Sequence, residues 1–127
     1  MRLLRGVVAI LVLMLLSGVS FSRAHCQQFK LGDYVATTPQ GQVTLTFADS
    51  GKMTAVFGTI AIQSSFKVVG DTIVIVNLAG PGACPSAHVG RYRWALQADT
   101  LGLTAISDPC SGRAAGLTFN AWIAKRP

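Results

Sequence analysis

The chain of 127 residues contains no glutamate, and its five acidic residues are all aspartate. Aspartate is a poor helix former and a good turn former, so the acidic residues argue against a helical protein. The sequence also has only two histidines and three cysteines. So few candidate ligands and proton carriers give little support for a metal centre or for acid–base catalysis.

A long apolar run is confined to the start of the chain, where VVAILVLMLL follows MRLLRG. The run is too short and wrongly flanked for a membrane span, and is typical of a secretory signal peptide. Small residues at both ends of Ser22-Arg23-Ala24 predict cleavage after residues 1–24, so that the mature protein begins at His25. Because His25 precedes Cys26, no lipid anchor is expected. We therefore expect an exported protein, periplasmic or extracellular, without stable membrane insertion after cleavage.

Removing the signal peptide changes the charge of the protein. Eight Lys and Arg then stand against five Asp, and the formal net charge falls from +6 to +3. A charge this small does not indicate a nucleic-acid partner. The remaining residues, 25–127, are sufficient for a single domain with one hydrophobic core.

Short segments rich in β-branched and aromatic residues, many of them alternating in polarity, recur along the predicted mature chain. This pattern is typical of β-strands separated by turns. The segments are residues 33–37, 43–47, 53–57, 64–69, 72–78, 91–96, 101–106 and 117–123. The predicted fold is all-β, an antiparallel up-and-down barrel of eight strands.

The connections between these strands are of two kinds. Because successive connections of a meander alternate between its ends, the three tight turns close one end, here called the tight-turn end; they are residues 48–51, 70–71 and 98–99. The opposite, long-loop end collects residues 79–90 and 107–116, and each of these loops contains a cysteine. Exported proteins form disulfides readily, so we expect a Cys84–Cys110 bridge and one remaining thiol, Cys26. A ligand pocket is expected to open at the long-loop end.

Two short motifs and the carboxyl-terminal part of the chain resemble the lipocalin-like, or calycin-type, group of small exported bacterial β-barrel proteins. Gly32-Asp33-Tyr34 stands where such chains often carry Gly-x-Trp, and residues 45–51 look like their second hairpin. The segment from Gly90 to Arg126 is similar to the ending of many bacterial members. The resemblance implies an antiparallel barrel with a pocket, and does not by itself imply a function.

Alternation along RYRWAL predicts which side chains fill the barrel. Arg91 and Arg93 are expected to face outward, and Tyr92, Trp94 and Leu96 inward. Other interior candidates are Phe47, Phe57, Phe66, Leu103 and Phe119. So many large residues on short strands favour a mostly packed core, with a genuine cavity as the alternative.

The loop SDPCSGR places an acid and a base on either side of Cys110. We expect Asp108 and Arg113 to form a structural ion pair; the alternative is that Arg113 binds a carboxylate or phosphate at the barrel mouth. A hydrolytic triad can be drawn from Asp108 and its loop neighbours Ser86, His88 and Ser111. Since the sequence has neither a G-x-S-x-G nucleophile elbow nor an obvious oxyanion hole, the protein is not expected to be an enzyme.

A metal site can also be drawn, from the Cys84–His88 spacing together with His25 and Cys26 at the new amino terminus. Cysteines of an exported chain usually oxidise, and two histidines are few, so no metal or other cofactor is predicted.

These observations favour an exported, non-enzymatic binding module for a small apolar or amphipathic ligand. The candidate ligand contacts are Tyr92, Trp94, Arg113 and His88. The alternative is a protein-interaction or inhibitor module that uses the disulfide-tied loops against another exported protein. A metal-binding or weakly hydrolytic protein is the third possibility.

Overall fold

The computed structural model describes residues 28–125, so the predicted signal peptide, its cleavage site and Cys26 lie outside the described residues. Each strand pairs antiparallel with the next one in sequence, and the last pairs with the first to close a barrel. The strands are β1 (Gly32–Thr38), β2 (Gly41–Phe47), β3 (Lys52–Phe57), β4 (Ile60–Val69), β5 (Thr72–Ala79), β6 (Gly90–Gln97), β7 (Thr100–Ser107) and β8 (Trp122–Ala124). The predicted closed, up-and-down, eight-stranded barrel is confirmed, and its architecture is compatible with a calycin-like fold.

The carboxyl-terminal region differs from the sequence-based prediction. The strand predicted at residues 117–123 is reduced to β8, and a helix, α1 (Ser111–Thr118), occupies most of the preceding loop. The helix buries Arg113 and Leu117, which are four residues apart and therefore lie on the same helical face. Burial of this face against the barrel favours a helix even though the segment contains two glycines and lacks a side-chain amino-terminal cap.

The two ends of the barrel are organised as predicted. The three tight turns lie between β2 and β3, β4 and β5, and β6 and β7, and therefore share one end. At the other end a disulfide joins Cys84 to Cys110 across a Cα–Cα distance of 6.2 Å. This pairing confirms the predicted bridge, and a disulfide is typical of proteins outside the cytoplasm. In residues 28–125, the structure has no helix with the length and apolar character required to cross a membrane.

Aromatic side chains fill the tight-turn end of the barrel. Phe29, which precedes β1, lies 5.0 Å from Phe47 and 5.4 Å from Trp94 between ring centroids, both in edge-to-face geometry. The Tyr34 hydroxyl donates a hydrogen bond of 2.6 Å to the Lys30 carbonyl and so holds this segment across the barrel end. Closure of this end by residues before β1 was not predicted from the sequence.

The predicted alternation of β6 is confirmed, because Tyr92, Trp94 and Leu96 are buried and the two neighbouring arginines, Arg91 and Arg93, are exposed. Among the other interior candidates, Phe47 and Leu103 are buried, and Phe66 is half-buried against the core. Burial in the core is wrong for Phe57 and Phe119, which are 37% and 62% exposed although both border the interior. Both lie at the long-loop end, where the strands run out and the rings meet the rim of the barrel.

The disulfide should contribute strongly to stability because it joins residues 26 positions apart. In the chain-entropy model, loss of a bridge closing a loop of this size lowers the free energy of unfolding by about 3 to 4 kcal/mol. A Cys84→Ser/Cys110→Ser double variant should show this loss in urea unfolding relative to the oxidised wild type. Equal unfolding free energies would show that the bridge does not constrain the chain.

Candidate functional site: a cavity at the long-loop end

The long-loop half of the barrel is hollow. It contains a cavity of about 740 Å³, within the roughly 300 to 1,000 Å³ range of small-molecule sites. Strands β2 to β5 contribute inward side chains to its walls, and α1 and the β5–β6 loop also line it. Lining residues include Val43, Leu45, Met53, Ala55, Ile62, Ser64, Asn77, Leu117 and Trp122. The interior is therefore packed at one end and open at the other, in contrast to the mostly packed core that the sequence favours.

The size of the inward side chains explains this division. The tight-turn half receives the rings of Phe29, Phe47 and Trp94, whereas Ala55 and Ser64 occupy inward positions nearer the long-loop end. Helix α1 adds its own small residues to the cavity lining, including Gly112 and Gly116. Small residues on facing elements leave volume that the aromatic cluster does not reach.

A buried polar pair forms part of the cavity wall. Asn77 Nδ2 donates to the Ser64 hydroxyl at 2.8 Å. The side-chain oxygen of Asn77, Oδ1, accepts from the Cys84 backbone amide at 2.9 Å. Buried polar groups are stabilised by such pairing. Asn77 therefore attaches the disulfide-bearing loop to the barrel wall.

The predicted ion pair between Asp108 and Arg113 is confirmed and is almost completely buried, with side-chain exposures of 0% and 5%. Arg113 Nε donates to Asp108 Oδ2 at 2.8 Å and Nη2 donates to Oδ1 at 2.7 Å, which is the bidentate geometry of a strong charge-assisted pair. Nη2 also donates to the His88 carbonyl at 2.7 Å. The pair thus joins α1 to both long loops.

Two further groups complete the environment of the Asp108 carboxylate. The buried Tyr92 hydroxyl donates to Oδ2, and the Cys110 backbone amide donates to Oδ1 at 2.8 Å. Burial, followed by the neighbouring carboxylate, raises the pKa of Tyr92 well above its ordinary value, so the hydroxyl remains a donor. Gly90 is required here, because a Cβ atom would lie 2.7 Å from Asp108 Oδ2 and 2.9 Å from the Tyr92 ring.

The buried Asp108 carboxylate makes the stability of the folded protein depend on pH in the acid range. Burial by itself would raise the pKa of Asp108, but hydrogen bonds from Arg113, Tyr92 and the Cys110 amide outweigh it and lower the pKa to about 2. The unfolded chain, with an aspartate pKa of about 3.9, then binds more protons than the folded protein as the pH falls. About 2 kcal/mol of stability, present above about pH 5, should be lost as the pH approaches 2.

Denaturant unfolding across this pH range measures the effect. Asp108→Asn should remove most of this dependence, whereas Asp71→Asn, in the exposed pair with Arg93, should retain it. An Asp108→Asn variant that loses stability with acid as steeply as the wild type would contradict the assignment.

The structure separates the four predicted ligand contacts. Arg113 lines the cavity. Tyr92 belongs to the buried cluster around Asp108, and His88 contributes its backbone carbonyl to Arg113. Trp94 lies in the tight-turn half, where its indole N–H donates to the Gly70 carbonyl at 2.9 Å.

Sequence reasoning missed Ser64 and Asn77 as cavity residues. Alternation along TIVIVNL would have placed Asn77 inward with Ile73 and Ile75, and all three are buried. Ser64 gave a comparable signal, because it lies two residues before Phe66 and the alternation along β4 is unbroken; the register shift leaves its extra residue on β5. Within residues 28–125, no group of three or more His, Cys, Asp or Glu side chains is arranged to hold a metal ion.

No protein-family model, curated protein or solved structure matches the chain. The geometry of the cavity and of the buried cluster therefore carries the functional argument.

Proposed function

We propose that the protein is an exported, lipocalin-like, non-enzymatic binding module that takes a small apolar or amphipathic molecule into the cavity at the long-loop end. The single observation that carries this proposal is the cavity of about 740 Å³, whose lining is largely apolar and includes a few polar groups. This combination is characteristic of small-molecule sites, in which apolar walls supply binding energy and polar groups fix orientation.

The rim of the cavity supports entry of an apolar molecule. Phe57, Ile60 and Phe119 line the cavity and are also more than one-third exposed. Exposed apolar side chains grouped around an opening are typical of binding sites. The Asp108 carboxylate, by contrast, is fully buried and engaged by Tyr92 and Arg113, which supports a structural role and not a catalytic one.

A protein-interaction module is the second candidate. Leu78 and Ile106 are the second-last residues of β5 and β7, at the long-loop end, and are 59% and 51% exposed. Together with Phe119 they offer apolar contact area beside the disulfide-tied loops. This function requires no access to the cavity, so a variant that fills the cavity separates the two candidates.

Filling the cavity should abolish small-molecule binding. Ala55 lines the cavity on β3, and Ala55→Phe should weaken binding of the neutral fluorescent probe N-phenyl-1-naphthylamine at least tenfold, measured by titration. The matched control is Ala95→Phe, because Ala95 is exposed between two inward residues of β6. Equal probe affinity in both variants would contradict binding in the cavity. Absence of binding to the wild type would favour surface recognition.

A further inference from the structure

The polar groups around the cavity offer hydrogen-bond donors. The polar lining residues are Thr38, Ser64, Asn77 and Arg113, and no acidic side chain of residues 28–125 lines the cavity. The Thr38 hydroxyl already donates to the Gly41 carbonyl at 2.8 Å, and Asn77 Oδ1 already accepts from the Cys84 backbone amide. The Ser64 hydroxyl accepts from Asn77, which leaves its proton available for donation.

Arg113 supplies the donor with the greatest need of a partner. A guanidinium that pairs with a carboxylate through Nε and Nη2 leaves Nη1 at the opposite corner of the plane. Nη1 is buried and has no hydrogen-bond partner among the described residues. A buried donor without an acceptor is costly, so an acceptor brought by a ligand would be favoured at this position.

The charge of Arg113 is already balanced. Asp108, fully buried, holds the guanidinium in a bidentate pair, and the two side chains together carry no net charge. A carboxylate or phosphate entering the apolar cavity would therefore be a third, uncompensated charge close to Asp108. Burying an unpaired charge is strongly unfavourable, whereas an uncharged carbonyl can accept a hydrogen bond without this cost.

We infer that the ligand joins an apolar body to an uncharged hydrogen-bond acceptor, namely an ester, ketone or amide carbonyl, and that Arg113 Nη1 donates to this carbonyl. The inference rests on the proposed function, since it specifies the chemistry of the molecule in the same cavity. Because neighbouring atoms cover Nη1, contact requires a small displacement of the α1 residues around Arg113. The acceptor end of the bound ligand then covers the guanidinium in place of those atoms.

Three pyrene compounds of similar size test the inference by fluorescence titration at a pH where the acid is ionised. They are methyl 1-pyrenebutyrate, with an uncharged acceptor; 1-pyrenebutyrate, with a charged one; and 1-pentylpyrene, with none. The methyl ester should bind about tenfold more tightly than 1-pentylpyrene, equivalent to about 1.4 kcal/mol, and at least tenfold more tightly than the carboxylate.

Two substitutions in the buried Asp108–Arg113 pair should change the order of the three affinities in different ways. Arg113→Lys removes Nη1 while keeping the charge, and should reduce the advantage of the ester over 1-pentylpyrene to less than threefold. Asp108→Asn leaves the arginine charge uncompensated, and should raise the affinity of the carboxylate relative to the ester at least tenfold. The exposed pair provides matched controls, since Arg93→Lys and Asp71→Asn should leave the wild-type order unchanged.

The outcomes distinguish this inference from the proposed function. Binding of all three compounds with equal affinity, or tighter binding of the carboxylate, would overturn the inference and leave a cavity-binding protein. Failure of all three to bind would overturn both. If a substitution of the buried pair prevents folding, the comparison of ester with 1-pentylpyrene on the wild type still decides the result.

Discussion

Arg113→Ala should lower the free energy of unfolding by about 3 to 5 kcal/mol, the usual cost of removing one partner from a buried ion pair. Both side chains are almost completely inaccessible to solvent. The substitution would leave the Asp108 carboxylate buried without the guanidinium that pairs with it. It would also remove the hydrogen bond to the His88 carbonyl, which links α1 to the β5–β6 loop. Urea unfolding at neutral pH measures the loss.

The matched control is the exposed Arg93. This residue pairs with Asp71 at 3.4 Å, and both side chains are about two-thirds exposed or more. Arg93→Ala should change the free energy of unfolding by no more than about 0.5 kcal/mol, as is usual for surface pairs. Similar losses at Arg113 and Arg93 would mean that the buried pair contributes little to stability.

Trp94→Ala should also cost about 3 to 5 kcal/mol, the typical range for truncating a buried aromatic side chain. The indole packs edge-to-face on Phe29 and donates to the Gly70 carbonyl, so the change removes packing, a ring contact and a hydrogen bond together. Trp94 is 8% exposed and belongs to the tight-turn half of the interior. The Arg93→Ala variant again serves as the control, because the neighbouring side chain faces outward.

The probe titration gives Trp94→Ala a second readout. Because Trp94 does not line the long-loop cavity, protein that remains folded should bind N-phenyl-1-naphthylamine with nearly wild-type affinity. A variant that keeps full stability would show that the register of β6 has been assigned wrongly. Loss of probe binding in a folded variant would show that the two halves of the interior are not independent.

The fold could be predicted from the local sequence wherever the polarity of each residue matches its burial in the structure. On β6, Arg91 and Arg93 alternate with Tyr92 and Trp94 and so indicated which face turns inward, and Trp94 and Arg93 lie as expected. The Cys84–Cys110 bridge followed from topology, since a meander brings alternate connections to one end. The ion pair was predicted because Asp108 and Arg113 flank Cys110 at a separation of five positions, which permits the two side chains to meet.

The carboxyl-terminal region could not be read in the same way. Residues 117–123 alternate in polarity and resemble a strand. Burial of Arg113 and Leu117 against residues distant in the sequence instead favours a helix that ends at Thr118. The spacing of four between these residues was the available signal. The hollow half of the barrel also escaped prediction, because a cavity depends on which small residues from different strands face each other.

The most direct test is mass spectrometry of small molecules extracted from the native protein, purified from its own cells beside Ala55→Phe. A binding module should carry an apolar molecule in an amount approaching one per chain, and the filled variant should carry little of it. If both proteins carry the same molecules in the same amounts, or if neither carries any, the cavity is not a binding site.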